Sequence, residues 1–174
     1  MKPLKILGLL LAAASVSGCL GNVQFRPVKT FSEIDYGLAE KHVTLGGVRL
    51  CYVDAGQGDD VLVFLHPAMS NLKVWREAIR EFQGRFRVIA LDLPGSGKSD
   101  KPSRFRYHPE AFASVTARLL DHLGVAAATL VGNSNGGATA LAFALQFPQR
   151  TQRLVLVGAA GIRARAPWKQ RFLR

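Results

Sequence analysis

The sequence predicts an α/β fold: a mostly parallel, doubly wound sheet with helices on both faces. Two observations predict it. Short apolar runs at 61–65, 87–91, 126–131 and 154–157 alternate with longer stretches whose apolar residues recur at helical spacing. Strands separated by helices run parallel, because each helix carries the chain back to the edge of the sheet where the strand began. The second observation is the pentapeptide Gly132-Asn133-Ser134-Asn135-Gly136, set between the run at 126–131 and the helix-like stretch 137–147.

At the start of the chain, Lys2 and Lys5 precede an apolar run at 6–16 and then Val16-Ser17-Gly18-Cys19. Those 11 residues are too few to span a bilayer, so residues 1–18 are expected to be a cleaved export signal. The last four residues resemble the lipoprotein cleavage box of bacteria. That resemblance implies cleavage before Cys19 and a diacylglycerol thioether plus an N-acyl chain on this cysteine, enough for durable anchoring. An ordinary signal with an incidental cysteine is the alternative. Leu20 follows, not Asp, which favours an exported, membrane-anchored lipoprotein of the cell envelope, in the outer membrane if the host has one.

Residues 19–40 are polar and weakly patterned, and are expected to be a tether. A single domain is then expected over 41–162. Segments 42–45 and 48–53 flank Gly46-Gly47, a hairpin signal. The spacing of Leu72, Trp75, Ile79 and Phe82 predicts a helix over 72–82, with Asn71 as its cap and Gly84 as its stop. Phe112, Val115, Leu119 and Leu123 do the same over 109–123, closed by Gly124. With Cys19 lipidated, Cys51 has no partner for a disulfide and is expected to be a small buried hydrophobe. The histidines are too scattered to suggest a zinc site, and neither metal nor cofactor is expected.

A serine alone between a strand and a helix is forced into strained backbone geometry, and small neighbours two positions to either side let strand and helix approach. Here those neighbours are Gly132 and Gly136. Ser134 is thereby the candidate nucleophile, and the Asn135 amide, at a helix N-terminus, is a candidate donor to an oxyanion.

Two upstream segments turn this elbow into a resemblance. The run 61–65 is followed by His66-Pro67-Ala68, and the run 87–91 by Asp92-Leu93-Pro94-Gly95-Ser96-Gly97-Lys98-Ser99-Asp100. Together with the elbow they make residues 40–162 resemble the α/β-hydrolases, most closely the carbon–carbon bond hydrolases of aromatic ring-cleavage products, with bacterial esterases and lipases nearly as near. The resemblance implies a second oxyanion donor on the turn after residue 65. Pro67 stands where glycine is usual and has no N–H, so the role is carried to Ala68. His66 is expected to hold that turn rather than to act as a base. The stretch Gly97-Lys98-Ser99 ends like a phosphate-binding loop, but the glycine required five residues before Gly97 is Asp92, so no nucleotide is expected; turn chemistry accounts for Asp92, Pro94 and the glycines without a ligand.

In this family the acid and the base follow the nucleophile in chain order. No His, Asp or Glu follows Ser134; His42, His66, His108 and His122 all precede it. The resemblance therefore implies further strands, a lid and both catalytic partners beyond this chain, whose 174 residues compare with roughly 250 for a whole domain. Residues 163–174 are expected to be the basic start of an unfinished lid. The expectation is a serine hydrolase acting on a small carboxylic ester or similar carbonyl substrate. A carbon–carbon bond hydrolase is the alternative within the fold, and a catalytically inactive lipoprotein or binding module the alternative outside it. Ser rather than Asp at the elbow argues against dehalogenase or epoxide hydrolase chemistry.

The chain carries 23 basic and 12 acidic side chains. Without Lys2 and Lys5 the balance is 21 to 12, or +9, and Arg163, Arg165, Lys169, Arg171 and Arg174 crowd the last 12 residues. An exported protein has little occasion to meet nucleic acid, which is not expected as a partner. Basic segments near a lipid anchor suit an anionic membrane surface, and a solvated piece of lid is the plainer explanation.

Overall fold

The computed structural model describes residues 33–161. The signal, Cys19, most of the expected tether and the basic segment 163–174 lie outside these residues. Strands β1 (Glu40–Leu45) and β2 (Val48–Ala55) form an antiparallel hairpin, closed by Gly46 and Gly47 at φ 58° and 79°. Two consecutive positive φ angles give the turn whose twist matches that of paired strands.

β2 lies antiparallel to β4 (Arg87–Leu91), and β3 (Val61–Leu65), β5 (Ala128–Asn133) and β6 (Thr151–Val157) complete a six-stranded sheet in the order β1-β2-β4-β3-β5-β6. Four strands are parallel, and the antiparallel pair sits at one edge. The strands read as unbroken apolar runs because both sides of the sheet are covered. Val63, Leu65, Ile89, Leu91 and Leu130 pack with α2 (Pro109–His122) and α3 (Asn135–Gln146), whereas Phe64, Val88, Ala90 and Val131 pack on the opposite face, with Leu72 and with Ile79 of α1 (Arg76–Phe82). The alternation follows from the period of two along a strand.

The stretch expected as one helix over 72–82 divides in two. Leu72–Trp75 is a 3-10 turn capped by Asn71, whose side chain accepts from the Lys73 amide at 3.1 Å, and α1 starts only at Arg76. Trp75 occupies the junction at φ −94°, ψ 2°, with its ring 4.9 Å from that of Phe64. Helix periodicity alone does not distinguish a tight first turn from an α-helical one.

The fold also starts earlier than the boundary expected at residue 41. Ile34 and Leu38 pack against the core, and Tyr36 between them is fully buried. None of the described helices is long and apolar enough to cross a membrane.

The connection from β3 runs by way of α1 to β4 on one side, and that from β5 runs by way of α3 to β6 on the other. β3 and β5 are neighbours, so their carboxyl ends flank the point where strand order reverses. In open α/β sheets this is where ligands bind.

Candidate active site

Ser134 is the single residue between β5 and α3, with φ 51° and ψ −113°. A non-glycine residue in such a region costs on the order of 1–3 kcal/mol and persists only where its surroundings hold it. Three backbone hydrogen bonds do so. The Ser134 amide donates to Val157 O at 3.0 Å, and the Ser134 carbonyl accepts from Ala138 N at 3.1 Å and from Ala160 N at 2.9 Å. Its hydroxyl makes no capping bond to α3.

The two elbow glycines are explained by contact. A Cβ on Gly132 would strike the Gly136 carbonyl, and a Cβ on Gly136 would strike the Leu65 carbonyl and come within 2.8 Å of His66 O. The first turn of α3 thus presses on the turn after β3. The amides of Asn135 and Gly136, at the open N-terminus of a 12-residue helix, have no intrahelical acceptor and carry the positive end of its dipole.

On the neighbouring turn, His66 is buried and both ring nitrogens are engaged. Nδ1 lies 2.8 Å from Pro67 O and Nε2 accepts from Leu93 N at 3.0 Å, which fixes the neutral tautomer with the proton on Nδ1. Burial holds its pKa below the ordinary histidine value. This ring is a brace between two turns and has no nitrogen left for proton transfer. Ala68 and Met69 follow at exposed positions, and Met69 has a left-handed backbone at φ 57°.

The loop after β4, read from the sequence as turn chemistry, is organised by a fully buried carboxylate. Asp92 Oδ1 accepts from Leu72 N at 2.7 Å, and Oδ2 accepts from Tyr36 Oη at 2.8 Å and Lys98 N at 2.7 Å. A Cβ on Gly97 would run into this carboxylate, which accounts for the glycine. Lys98 Nζ is committed to Glu40, at 2.7 and 2.6 Å from its two oxygens. The loop is therefore filled by its own acid, and its lysine faces Glu40 instead of a phosphate.

Among the described residues no histidine hydrogen-bonds to Ser134. His108 stands at the N-terminus of α2, 2.8 Å from Glu110, His42 lies on the edge strand β1 and His122 ends α2. Cys51 is buried, and burial first, then the Asp92 and Glu40 carboxylates, push its thiol up to about 12, so it is no nucleophile at neutral pH. No three potential metal ligands cluster among the described residues. A cavity of about 280 Å³ is lined by Val61, Arg87, Val125 and their neighbours at the amino ends of the strands, the opposite end of the sheet from Ser134.

The alpha/beta hydrolase fold model matches residues 60–174, which take in β3, the loop after β4 and the elbow. The chain belongs to the alpha/beta hydrolase fold family. Among its relatives, the 2-hydroxy-6-oxo-2,4-heptadienoate hydrolase of Pseudomonas putida is 40% identical over 123 residues, 69% of this chain and 44% of that protein. The chain thus spans less than half the length of this curated relative. Among solved structures, a membrane phospholipase A superposes with a TM-score of 0.71 at 30% identity, over 75% of this chain and 42% of the other. Est816, described as an N-acyl homoserine lactone degrading enzyme, gives 0.66 at 32% identity over 76% and 52%. These relatives place a hydrolase fold on the chain; what they act on differs.

Sequence reasoning missed Tyr36, the buried role of Asp92 and the left-handed Met69. For Tyr36 a signal was present: Ile34, Tyr36 and Leu38 recur at every second residue, as a half-buried extended segment does.

Proposed function

We propose that this chain carries the nucleophile and oxyanion half of a serine hydrolase acting on a carboxylic ester or similar carbonyl substrate, and that it is anchored to a membrane through lipidated Cys19. The observation that carries the reading is Ser134 at φ 51°, held in strain at the head of α3 at the sheet's switch point. In the reaction Ser134 Oγ attacks the carbonyl carbon as its proton passes to a base. The resulting oxyanion accepts hydrogen bonds from the Asn135 and Ala68 amides, with the α3 dipole behind the first. Its collapse expels the alcohol, which takes the proton from the base, and water then releases the acyl group as a carboxylic acid and restores the serine hydroxyl.

No His, Asp or Glu follows Ser134, and His66 is spent on the backbone, so base and orienting acid must come from the part of the longer relatives that this chain does not span. The name of the Pseudomonas putida relative favours a second reading within the same site, hydrolysis of a carbon–carbon bond next to a ketone.

The distribution of charge supports the membrane. All 12 acidic residues fall within 33–161, against 14 basic ones, and once Lys2 and Lys5 leave with the signal the remaining seven basic residues lie outside with no acid among them. Segments of that kind are drawn to anionic headgroups by about 1 kcal/mol per basic residue. The test is labelling with a fluorophosphonate probe in the protein as its host makes it, alongside metabolic labelling with palmitate. Probe labelling lost in Ser134→Ala, and palmitate lost with release from the membrane in Cys19→Ser, are expected. A folded wild-type protein that takes no probe overturns the hydrolase, and one that takes no palmitate overturns the anchor.

A further inference from the structure

We propose that Tyr36, in the segment ahead of β1, is a positioning residue for the oxyanion turn and acts on it through Asp92. This deepens the serine-hydrolase reading and rests on it. The turn that carries Ala68 is held at two points only a residue apart on the neighbouring loop. At its start His66 Nε2 accepts from Leu93 N at 3.0 Å, and at its end Leu72 N donates to Asp92 Oδ1 at 2.7 Å. Between these clamps, residues 67–71 include a proline with no N–H to bond and the left-handed Met69, and Ala68 and Met69 are exposed. The position of the Ala68 amide therefore depends on where Asp92 and Leu93 sit.

Asp92 in turn is placed by groups from outside its own loop. Tyr36 Oη donates to Oδ2 at 2.8 Å from the segment that precedes the sheet, 56 residues away in sequence. The tyrosine is itself fixed on the other side of its ring by Lys98 Nζ, 4.5 Å from the centroid, and that ammonium is paired with Glu40 at the start of β1. Fully buried, the phenol stays protonated and serves as a donor throughout the neutral range. Without the Tyr36 hydroxyl, Oδ2 keeps only Lys98 N, at 2.7 Å on its own loop; the buried carboxylate is drawn toward that donor, and its partner on the Leu72 side shifts with it. Residues 33–40, the last part of the segment expected as a tether, are in this way a strap across the base of the oxyanion turn.

Tyr36→Phe removes one hydroxyl and keeps the buried ring. In the host-made protein, exchange of backbone amide hydrogens in the 66–72 peptide is expected to speed up about tenfold, with the 61–65 strand unchanged. Phosphonylation of Ser134 by the fluorophosphonate is expected to lose about tenfold in its limiting rate with half-saturation within about twofold, a fraction of the 10²–10³ typical of deleting an oxyanion donor outright. A purely structural tyrosine would lower the amount of reactive protein but not the rate per reactive site, so active-site titration separates the two. Unchanged exchange at 66–72 together with an unchanged limiting rate overturns the proposal.

The wild-type protein supplies a test that needs no variant. Native-state exchange of the 33–40 and 66–72 peptides in low urea should follow one common opening, and independent openings overturn the strap. If the wild type takes no probe, the hydrolase reading fails, and the exchange data alone decide whether Tyr36 holds the turn.

Discussion

Replacing Gly136 by alanine adds a single methyl group at the most crowded backbone contact of the site. On helix propensity alone the change would help by about 1 kcal/mol, because alanine is the better helix former. The structure predicts the reverse. The new Cβ would strike the Leu65 carbonyl oxygen and lie 2.5 Å from Leu65 C and 2.8 Å from His66 O, where ordinary contact begins at 3.4 Å. Relief requires a retreat of at least 0.9 Å, the difference between 3.4 and 2.5 Å at Leu65 C, and more at the carbonyl oxygen. β3 is paired on both sides, to β4 and β5, and cannot yield, so α3 and the elbow must move. Forced packing of this kind costs about 1–3 kcal/mol, which cancels the propensity gain and leaves a net loss near 1 kcal/mol. A shift of about 1 Å at a reacting group is worth on the order of 10² in rate, so reactivity should suffer far more than stability. Fluorophosphonate labelling kinetics and thermal melting of the host-made protein measure the two. Gly84→Ala, with nothing within 4 Å of its new Cβ and no positive φ, is the contrast, expected to gain about 0.4–1 kcal/mol and leave labelling unchanged. A Gly136→Ala protein that labels at the wild-type rate would refute the reasoning.

Acidification should weaken the fold through His66. Its folded pKa lies below the ordinary value near 6.5, so in that window the unfolded chain binds more protons, and stability is lost as pH falls below about 6.5. Urea midpoints at pH 7.5 and 5.5 check this, and equal midpoints would contradict a neutral buried ring. Cys51 should resist iodoacetamide at pH 8 in the folded protein and react once denatured; prompt reaction in the native state would mean that β2 opens. Asp54→Asn removes the charge and turns one of the two oxygens that accept from the half-buried Arg87, at 2.9 and 3.1 Å, into a donor, and should cost about 2 kcal/mol by denaturant titration. A loss below about 0.5 kcal/mol would show that solvent replaces the carboxylate there.

The strands, the elbow and the order of helices were legible because each leaves a local trace. A strand covered on both faces is a run such as Val61–Leu65, and a tight strand-to-helix turn demands small residues at Gly132 and Gly136. The split between the turn at Leu72–Trp75 and α1 was not legible, since both share one apolar spacing. Asp92 looked like a turn former because a turn-forming aspartate and a buried aspartate with three donors have the same letter. What separates them is Tyr36 Oη and Leu72 N, brought from 56 and 20 residues away. The left-handed Met69 had no signal, because methionine carries no preference for that conformation.

The bond from Ala160 N to the Ser134 carbonyl, with that from Ser134 N to Val157 O, ties the chain after β6 to the backbone of the serine it left 26 positions earlier. The nucleophile's backbone is thus latched by a later strand as well as by its own elbow. A change at positions 157–160 that loosens this latch is felt at the serine without replacing any residue of the site.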